Sequence, residues 1–500
     1  MERAGAEQAA GAAAEAAAEP GFALELELPP EALGRLLRHP ALQAARAGRA
    51  RSRPHTLLWL DTAAGDLAAE GRIAERVDEG PPRLVRLWPA PEALTWPGQP
   101  DAVAEGDPPK ELVAVASFRG RRRVLPCAGG GWLDIRSGQL RAVAADRPVT
   151  RLCLHGPPGA VFRLARALAE DLPLLPPVAG LAELGRALAR QEAPRPRRSG
   201  PAVLGSAADA GEAVAAAIGH LALALLHQRE GALEGTRPEP VHQMRVALRR
   251  LRAILRLFRP ATGAPLLLRL EAELKTLAGR LGAARDWDVF LAGIGAEVAL
   301  AVGEDARLAA LLRAARAARE AAYAALREAL SEPEFRLLAL DLAEAAAHPA
   351  AWRPAAPAPD TELAGFAAAL LERRWHKLRK QGKEMARLDL AAFHALRIEA
   401  KRLRYAAELF APLWPGKGTR RFLKHLARLQ DAMGLANDAE VARGLVAALP
   451  GAGAGRAWAG GVVEGWCLAR AAAARRQSEE RWHELKEAKP FWRAPPDERG

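Results

Sequence analysis

Apolar and polar positions follow two different periods along this chain, and the change of period separates two domains. From residue 21 to about 145, short runs alternate or stay apolar for only a few positions. Residues 22–28, 56–60 and 111–116 read as strands. Glycine and proline clusters separate them. Residues 30–37 suggest a short helix and residues 160–172 a longer one. The pattern predicts an α+β or β-rich domain over 21–190. Residues 191–201 contain three prolines in eleven positions, which rules out a continuing helix, so 191–206 is assigned as a linker. From 207 to about 490 the period is helical, broken at residues 238–240, 260–265, 354–359 and 412–418. This second part is expected to be a helix bundle. The Ala/Glu-rich residues 1–20 are expected to be a disordered or frayed tail, and 491–500 a C-terminal tail.

The helical part repeats itself. His242, Arg245, Arg249, Arg250 and Arg252 are answered by His394, Arg397, Lys401, Arg402 and Arg404, because 394 − 242 = 152 and the offset holds without a gap. Leu251 matches Leu403, Pro260 matches Pro412, Gly282 matches Gly434 and Asp286 matches Asp438. Composition alone does not produce so long a gapless match. It predicts two similar helical bundles related by a pseudo-twofold axis.

On a helical wheel of about 100° per residue, His242, Arg245, Arg249, Arg252 and Arg256 form one stripe about 80° wide. Val241, Met244, Leu248, Leu251, Leu255 and Phe258 cluster on a different face, about 110° away. In the second copy His394, Arg397, Lys401 and Arg404 repeat the ladder, with Glu408 below it. Like charges one turn apart repel by some tenths of a kcal/mol per pair. An anion that bridges them removes the penalty, and the arginine fork fits phosphate oxygens. The rise of about 5.4 Å per turn is of the order of the phosphate spacing in a chain. Arginine-rich faces are ordinarily solvated and paired with Glu, but the duplication favours an extended polyanion as partner. For His242 and His394 two roles remain open: a cap or core hydrogen bond, or direct contact with phosphate. Arg374 and Lys377 on one helix, and Arg421 and Lys424 on another, are candidates to extend the surface. Asp286 and Asp438 follow glycine-containing breaks and are expected to be helix N-caps.

The net charge of +13 and a pI near 10.3 agree with an acidic partner, although the Arg-, Ala- and Leu-rich composition also suggests a GC-rich genome. Cys127, Cys153 and Cys467 are odd in number and far apart, which argues against a disulfide framework or zinc spacing and fits a reducing cytosol. No apolar run approaches the length of a membrane span, and no signal-peptide pattern is visible. Aromatic residues are scarce beside the ladders, with only Tyr405 close to them. Base stacking is therefore poorly served, and specific nucleic-acid binding is not expected.

The two His-x-x-Arg-x-x-x-(Arg/Lys)-Arg-x-Arg segments, followed by Leu281-Gly282-Ala283-Ala284-Arg285-Asp286-Trp287-Asp288 and its counterpart at 433–440, resemble the CHAD family (conserved histidine α-helical domain). The resemblance spans about 207–489. It implies two four-helix bundles and a basic pocket for inorganic polyphosphate, with family residues at the ten positions of the two motifs. CHAD domains often follow a CYTH domain, the antiparallel β-barrel of triphosphate tunnel enzymes. Residues 28–33, 59–62 and 159–174 resemble one. The CYTH pattern Glu-x-Glu-x-Lys falls either on Gly21, Ala23 and Glu25 or on Glu25, Glu27 and Pro29, and neither register keeps the lysine. Its Leu-Arg-x-Arg strand falls at 75–78, its Thr-x-Lys near 86–88 and its late Glu-x-Glu at 149–155, where no carboxylate stands.

These comparisons imply a degenerate CYTH-like domain without catalytic residues, with no cofactor unless Mg²⁺ or Mn²⁺ serves an active tunnel. The expected function is polyphosphate binding, targeting the protein to cytoplasmic polyphosphate granules of a bacterium, through His242, Arg245, Arg249, Arg250, Arg252, Arg256, His394, Arg397, Lys401, Arg402, Arg404, Arg374, Lys377, Arg421 and Lys424. The alternative is a metal-dependent triphosphatase of the CYTH type acting on tripolyphosphate or a nucleoside or thiamine triphosphate.

Overall fold

A computed structural model describes residues 21–88, 95–143, 145–195, 204, 207, 209–262, 264–352, 363–451 and 453–494. The expected tail at 1–20, most of the linker, the break at 354–359, residues 495–500 and the side chain of Phe258 lie outside the described residues. The chain divides into two compact units, one of residues 1–89 and 97–197, the other of 90–96 and 198–500.

The first unit is built on seven strands: β1 (Ala23–Glu27), β2 (Arg51–Asp61), β3 (Arg72–Val77), β4 (Pro82–Arg86), β5 (Val113–Pro126), β6 (Trp132–Arg141) and β7 (Asp146–His155). All neighbours are antiparallel, in the order β1-β7-β6-β5-β2-β3-β4. The helices are α1 (Leu33–Arg38), α2 (Pro40–Ala45), α3 (Asp66–Ala69), α4 (Pro158–Asp171) and α5 (Leu181–Arg190). This is the α+β architecture the alternation predicted. The strand expected at 111–116 is in fact the start of the 14-residue β5, which runs on through Arg119, Arg121, Arg122 and Arg123.

Gly120 and Gly138 face each other across β5 and β6, and a Cβ on either would strike the partner strand's backbone. The strands can therefore approach closely where the sheet curls into a half-barrel. Residues 98–104 run between its two edges. Glu25 N donates to Gly98 O at 2.6 Å on β1, and Ala104 N donates to Leu84 O at 2.9 Å on β4. One core, centred on the fully buried Trp59 and Phe118, is covered by Leu181, Ala182 and Leu184 of α5.

The second unit is helical: α6 (Ala210–His227), α7 (Arg229–Glu234), α8 (Glu239–Thr262), α9 (Pro265–Ala292), α10 (Ile294–Val302), α11 (Ala306–Ser331), α12 (Pro333–Ala347), α13 (Leu363–Gln381), α14 (Leu390–Phe410), α15 (Lys417–Ala448) and α16 (Ala454–Lys486). The 152-residue offset maps α6, α8, α9 and α11 onto α13, α14, α15 and α16. The first residue of α9, Pro265, lands on the first of α15, Lys417. Each half is a four-helix bundle, with α7, α10 and α12 added in the first. Three helices pack against their own copies: α8 on α14, α9 on α15 and α11 on α16. Contact of like with like is what a twofold relation produces.

The wheel drawn for α8 holds in three dimensions. Val241, Met244, Leu248, Leu251 and Leu255 are all buried. One expectation is overturned. Asp286 and Asp438 are not N-caps, because both lie deep inside continuous helices, α9 and α15. Aspartates do cap helices elsewhere. Asp209, Asp305 and Asp389 each accept a first-turn backbone N–H. Beyond α16 the chain closes with a turn whose Phe491 and Trp492 are buried against Phe422.

Candidate functional site

The contact between α8 and α14 brings the two cationic ladders together. Arg245 and Arg249 of α8 act electrostatically on Arg397 and Lys401 of α14, together with Asp438 of α15. Arg245 carries the second carboxylate into the group through a 3.3 Å pair with Asp286. Its guanidinium reaches across α9 at Gly282, where a Cβ would stand 2.7 Å from Nη1. The glycine read as a helix break is thus a place of close approach. Burial lowers the pKa values of Arg245 and Arg397, and neighbouring cations add to the effect. Nε of Arg249 and of Arg397 is buried without a hydrogen-bond partner among the described residues. Burial, then Arg397, Arg249 and Arg245, push the Lys401 ammonium down to about 7. Four cations here face two carboxylates, an arrangement short of negative charge.

The remaining expected residues divide by how they are neutralised. Glu399, buried on the other side of α14, accepts from Arg374 at 3.4 Å and from Lys377 at 3.0 Å, and also pairs with Arg402. Those three cations are gathered around a protein carboxylate, away from the centre. Glu408 joins the two repeats. It lies 3.0 Å from Arg250 and 2.7 Å from Arg404, which also donates to Gln430. Arg256 pairs with Glu271 at 2.8 Å, while the Nε of Arg252 is buried without a partner among the described residues. Arg421 and Lys424 are exposed, with no ion pair among the described residues.

The histidines part company. His242 is half-buried, and its pKa is lowered by burial and then by Arg285, while Glu239 opposes the shift. His394 is exposed. Arg285 was not among the expected site residues, although it acts on His242 and Arg245. Its signal was present in the repeated Gly-x-x-(Arg/Asn)-Asp segment. The second acidic position of that motif, Asp288, accepts from Arg319 at 2.7 Å and Tyr323 at 2.8 Å, tying α9 to α11.

In the first unit, the sheet encloses a cavity of about 110 Å³ lined by Glu25, Glu75, Arg83, Asp134, Arg136 and Arg151 among others. Strand by strand, most tunnel charge had been expected to be gone. The cavity instead keeps cations and carboxylates bound to each other: Arg83 to Glu75 at 3.0 Å, and Arg136 to Asp134 at 3.5 Å. Arg122 reaches the same Asp134 at 3.0 Å, and Arg151 reaches Glu27 at 3.0 Å. A tunnel enzyme's metal does not suit this donor set. Among the described residues no group of three or more His, Cys, Asp or Glu is placed to hold a metal ion.

Fold and site together define a duplicated helical-bundle domain with a cationic centre where its two copies meet. The chain belongs to the CHAD domain family, whose model matches residues 215–447. A crystal structure of the CHAD domain from the plant Ricinus communis is 30% identical, over 58% of this chain and 98% of that one, with a TM-score of 0.49. PptA from Streptomyces chartreusis is 21% identical over 55% of this chain and 99% of its own, with a TM-score of 0.45. A putative adenylyl cyclase from Hippeastrum, described as having a dominant triphosphatase activity, is 16% identical over 36% and 99%, with a TM-score of 0.25. No curated protein matches the chain. Among the described residues no helix is long and apolar enough to cross a membrane.

Proposed function

We propose that the helical unit binds inorganic polyphosphate at the contact of its two repeats and so brings the protein to polyphosphate granules in the cytoplasm. The observation that carries the reading is the convergence of Arg245, Arg249, Arg397 and Lys401 from both repeats, with buried donors on Arg249 and Arg397 that meet no acceptor among the described residues. A chain of phosphates supplies acceptors and negative charge together. The centre is narrower than the fifteen residues that the sequence pattern suggests, because Arg374, Lys377 and Arg402 already surround Glu399. The test is titration of the full chain with long-chain polyphosphate. Replacing Arg245, Arg249, Arg397 and Lys401 by Ala should abolish binding, whereas unchanged affinity removes the site. Affinity should fall with salt, with a log–log slope of about −3 for four phosphate contacts. Competition by DNA at equal phosphate concentration should be weak, since Tyr405 beside Arg397 is a single ring and a run of bases needs several to stack on.

For the half-barrel we propose no triphosphate hydrolysis, on the ground that its interior cations are bound to its own carboxylates. Robust Mg²⁺- or Mn²⁺-dependent phosphate release from tripolyphosphate would overturn this.

A further inference from the structure

Three of the four central cations are arginines, and one is a lysine. Lys401 occupies the position that Arg249 holds in the first repeat, since 401 − 249 = 152. A guanidinium keeps its charge throughout the physiological range, whereas a crowded, half-buried amine can lose its proton. Lys401 is half-buried and makes no ion pair among the described residues. Two of the helices packed on α14, α8 and α15, contribute to its surroundings. Arg245 and Arg249 face it from α8, Arg397 from its own helix one turn away, and Asp438, itself exposed, from α15. The charged side chains of α13 nearest this region, Arg374 and Lys377, turn to Glu399 instead. Three guanidinium groups therefore oppose the ammonium, and one exposed carboxylate favours it.

We propose that Lys401 is the proton-linked residue of the polyanion site, uncharged in much of the unliganded protein at mildly alkaline pH and taking up one proton from solvent as a phosphate group enters. The proposal rests on the polyphosphate reading and deepens it. An entering phosphate places negative charge among the four cations, and the amine becomes an ammonium that donates to it. The other three cations cannot respond in this way. The half-buried His242 has its pKa below 6.5, so in the unliganded chain it is neutral in the same range. Linkage then fixes the sign: a group that gains a proton on binding makes binding tighter as pH falls. One proton allows at most about a tenfold change in affinity per pH unit. Long-chain polyphosphate is the right probe, because its internal phosphates keep their charge over this window.

The experiment is calorimetric titration of the full chain with long-chain polyphosphate at pH 8, in two buffers of different ionisation enthalpy, together with affinities from pH 7 to 9. The wild type should take up most of one proton, with affinity weakening by more than about tenfold from pH 7 to pH 9. Lys401→Arg carries the residue of the first repeat and a permanent charge. It should still bind, take up almost no proton and vary less than about twofold over the range. Wild-type proton uptake that persists in Lys401→Arg, or intact wild-type binding with no uptake, overturns the proposal and leaves the binding site standing. Absence of wild-type binding at pH 7 removes the polyphosphate reading itself, and the proposal with it. Acylation mapped by mass spectrometry on the ligand-free chain checks the free state separately. At pH 7.5 a neutral Lys401 amine should react faster than the exposed Lys377, and slower reaction counts against the proposal.

Discussion

Arg245 Nη1 lies 2.7 Å from the point where a Cβ on Gly282 would stand, so the side chain of one helix occupies the space that the neighbouring helix leaves empty. The matching glycine of the second repeat, Gly434, has nothing within 4 Å of its Cβ position. Replacing Gly by Ala inside a helix stabilises it by up to about 1 kcal/mol. Gly282→Ala and Gly434→Ala should therefore both leave stability intact or raised in denaturant titration. Only Gly282→Ala displaces a guanidinium from the site, so it alone should weaken polyphosphate binding, by several-fold.

Glu399 should matter more to the fold than any single cation around it. Its carboxylate is 4% exposed and is met by Arg374, Lys377 and Arg402. Burial pushes its pKa up, but Lys377 and Arg402 outweigh burial and hold it below the usual 4.5. Removing one partner of a buried ion pair costs about 3 kcal/mol or more, discounted here because Lys377 is half exposed. Glu399→Gln should thus cost about 2 kcal/mol in chemical denaturation at pH 7. A depressed carboxylate stabilises above its unfolded pKa and loses that contribution as pH falls through the folded one. The gap between variant and wild type should therefore shrink below about pH 4.

The Tyr323 hydroxyl donates to Asp288 at 2.8 Å, with both side chains buried. Tyr323→Phe leaves Asp288 with Arg319 but without its second donor. A loss of about 1–2 kcal/mol in the unfolding of the helical unit is expected, and no loss would place the anchor elsewhere.

Burial pushes all three thiols above their ordinary pKa, Cys153 most of all, beside Glu25. Thiolate is the reactive form. At pH 8 an aromatic disulfide reagent should modify the native chain slowly at Cys127, Cys153 and Cys467, and should count three thiols rapidly in denaturant.

The ladders were legible because two regularities coincided: a helical period that separates Arg245 and Arg249 from the buried Met244 and Leu248, and a gapless repeat. What escaped depends on contacts between helices. Glu399 answers Ala247 at the repeat offset, so the repeat gives no hint that it gathers Arg374, Lys377 and Arg402. Asp286 looked like a cap because Gly282 suggested a break, and only the path of Arg245 across α9 explains the glycine. In the half-barrel, Arg122, Arg136 and Arg151 stand as charged positions along their strands. Arg122 and Arg136 are bound to the buried Asp134, and the buried Arg151 to the half-exposed Glu27, pairings that a pattern of periods does not reveal.

The like-on-like contacts of α8 with α14, α9 with α15 and α11 with α16 have an evolutionary consequence. A helical unit of half this length could build the same cationic centre only by pairing with a second copy, and the centre would then come and go with protein concentration. Fusion of the two copies makes the encounter intramolecular and the cationic centre permanent. It also frees the halves from identity. A symmetric pair must carry every substitution twice, whereas this chain holds Arg249 opposite Lys401, Ala247 opposite Glu399 and Arg256 opposite Glu408. Duplication thus supplied the site, and divergence after fusion gave its two walls different chemistry.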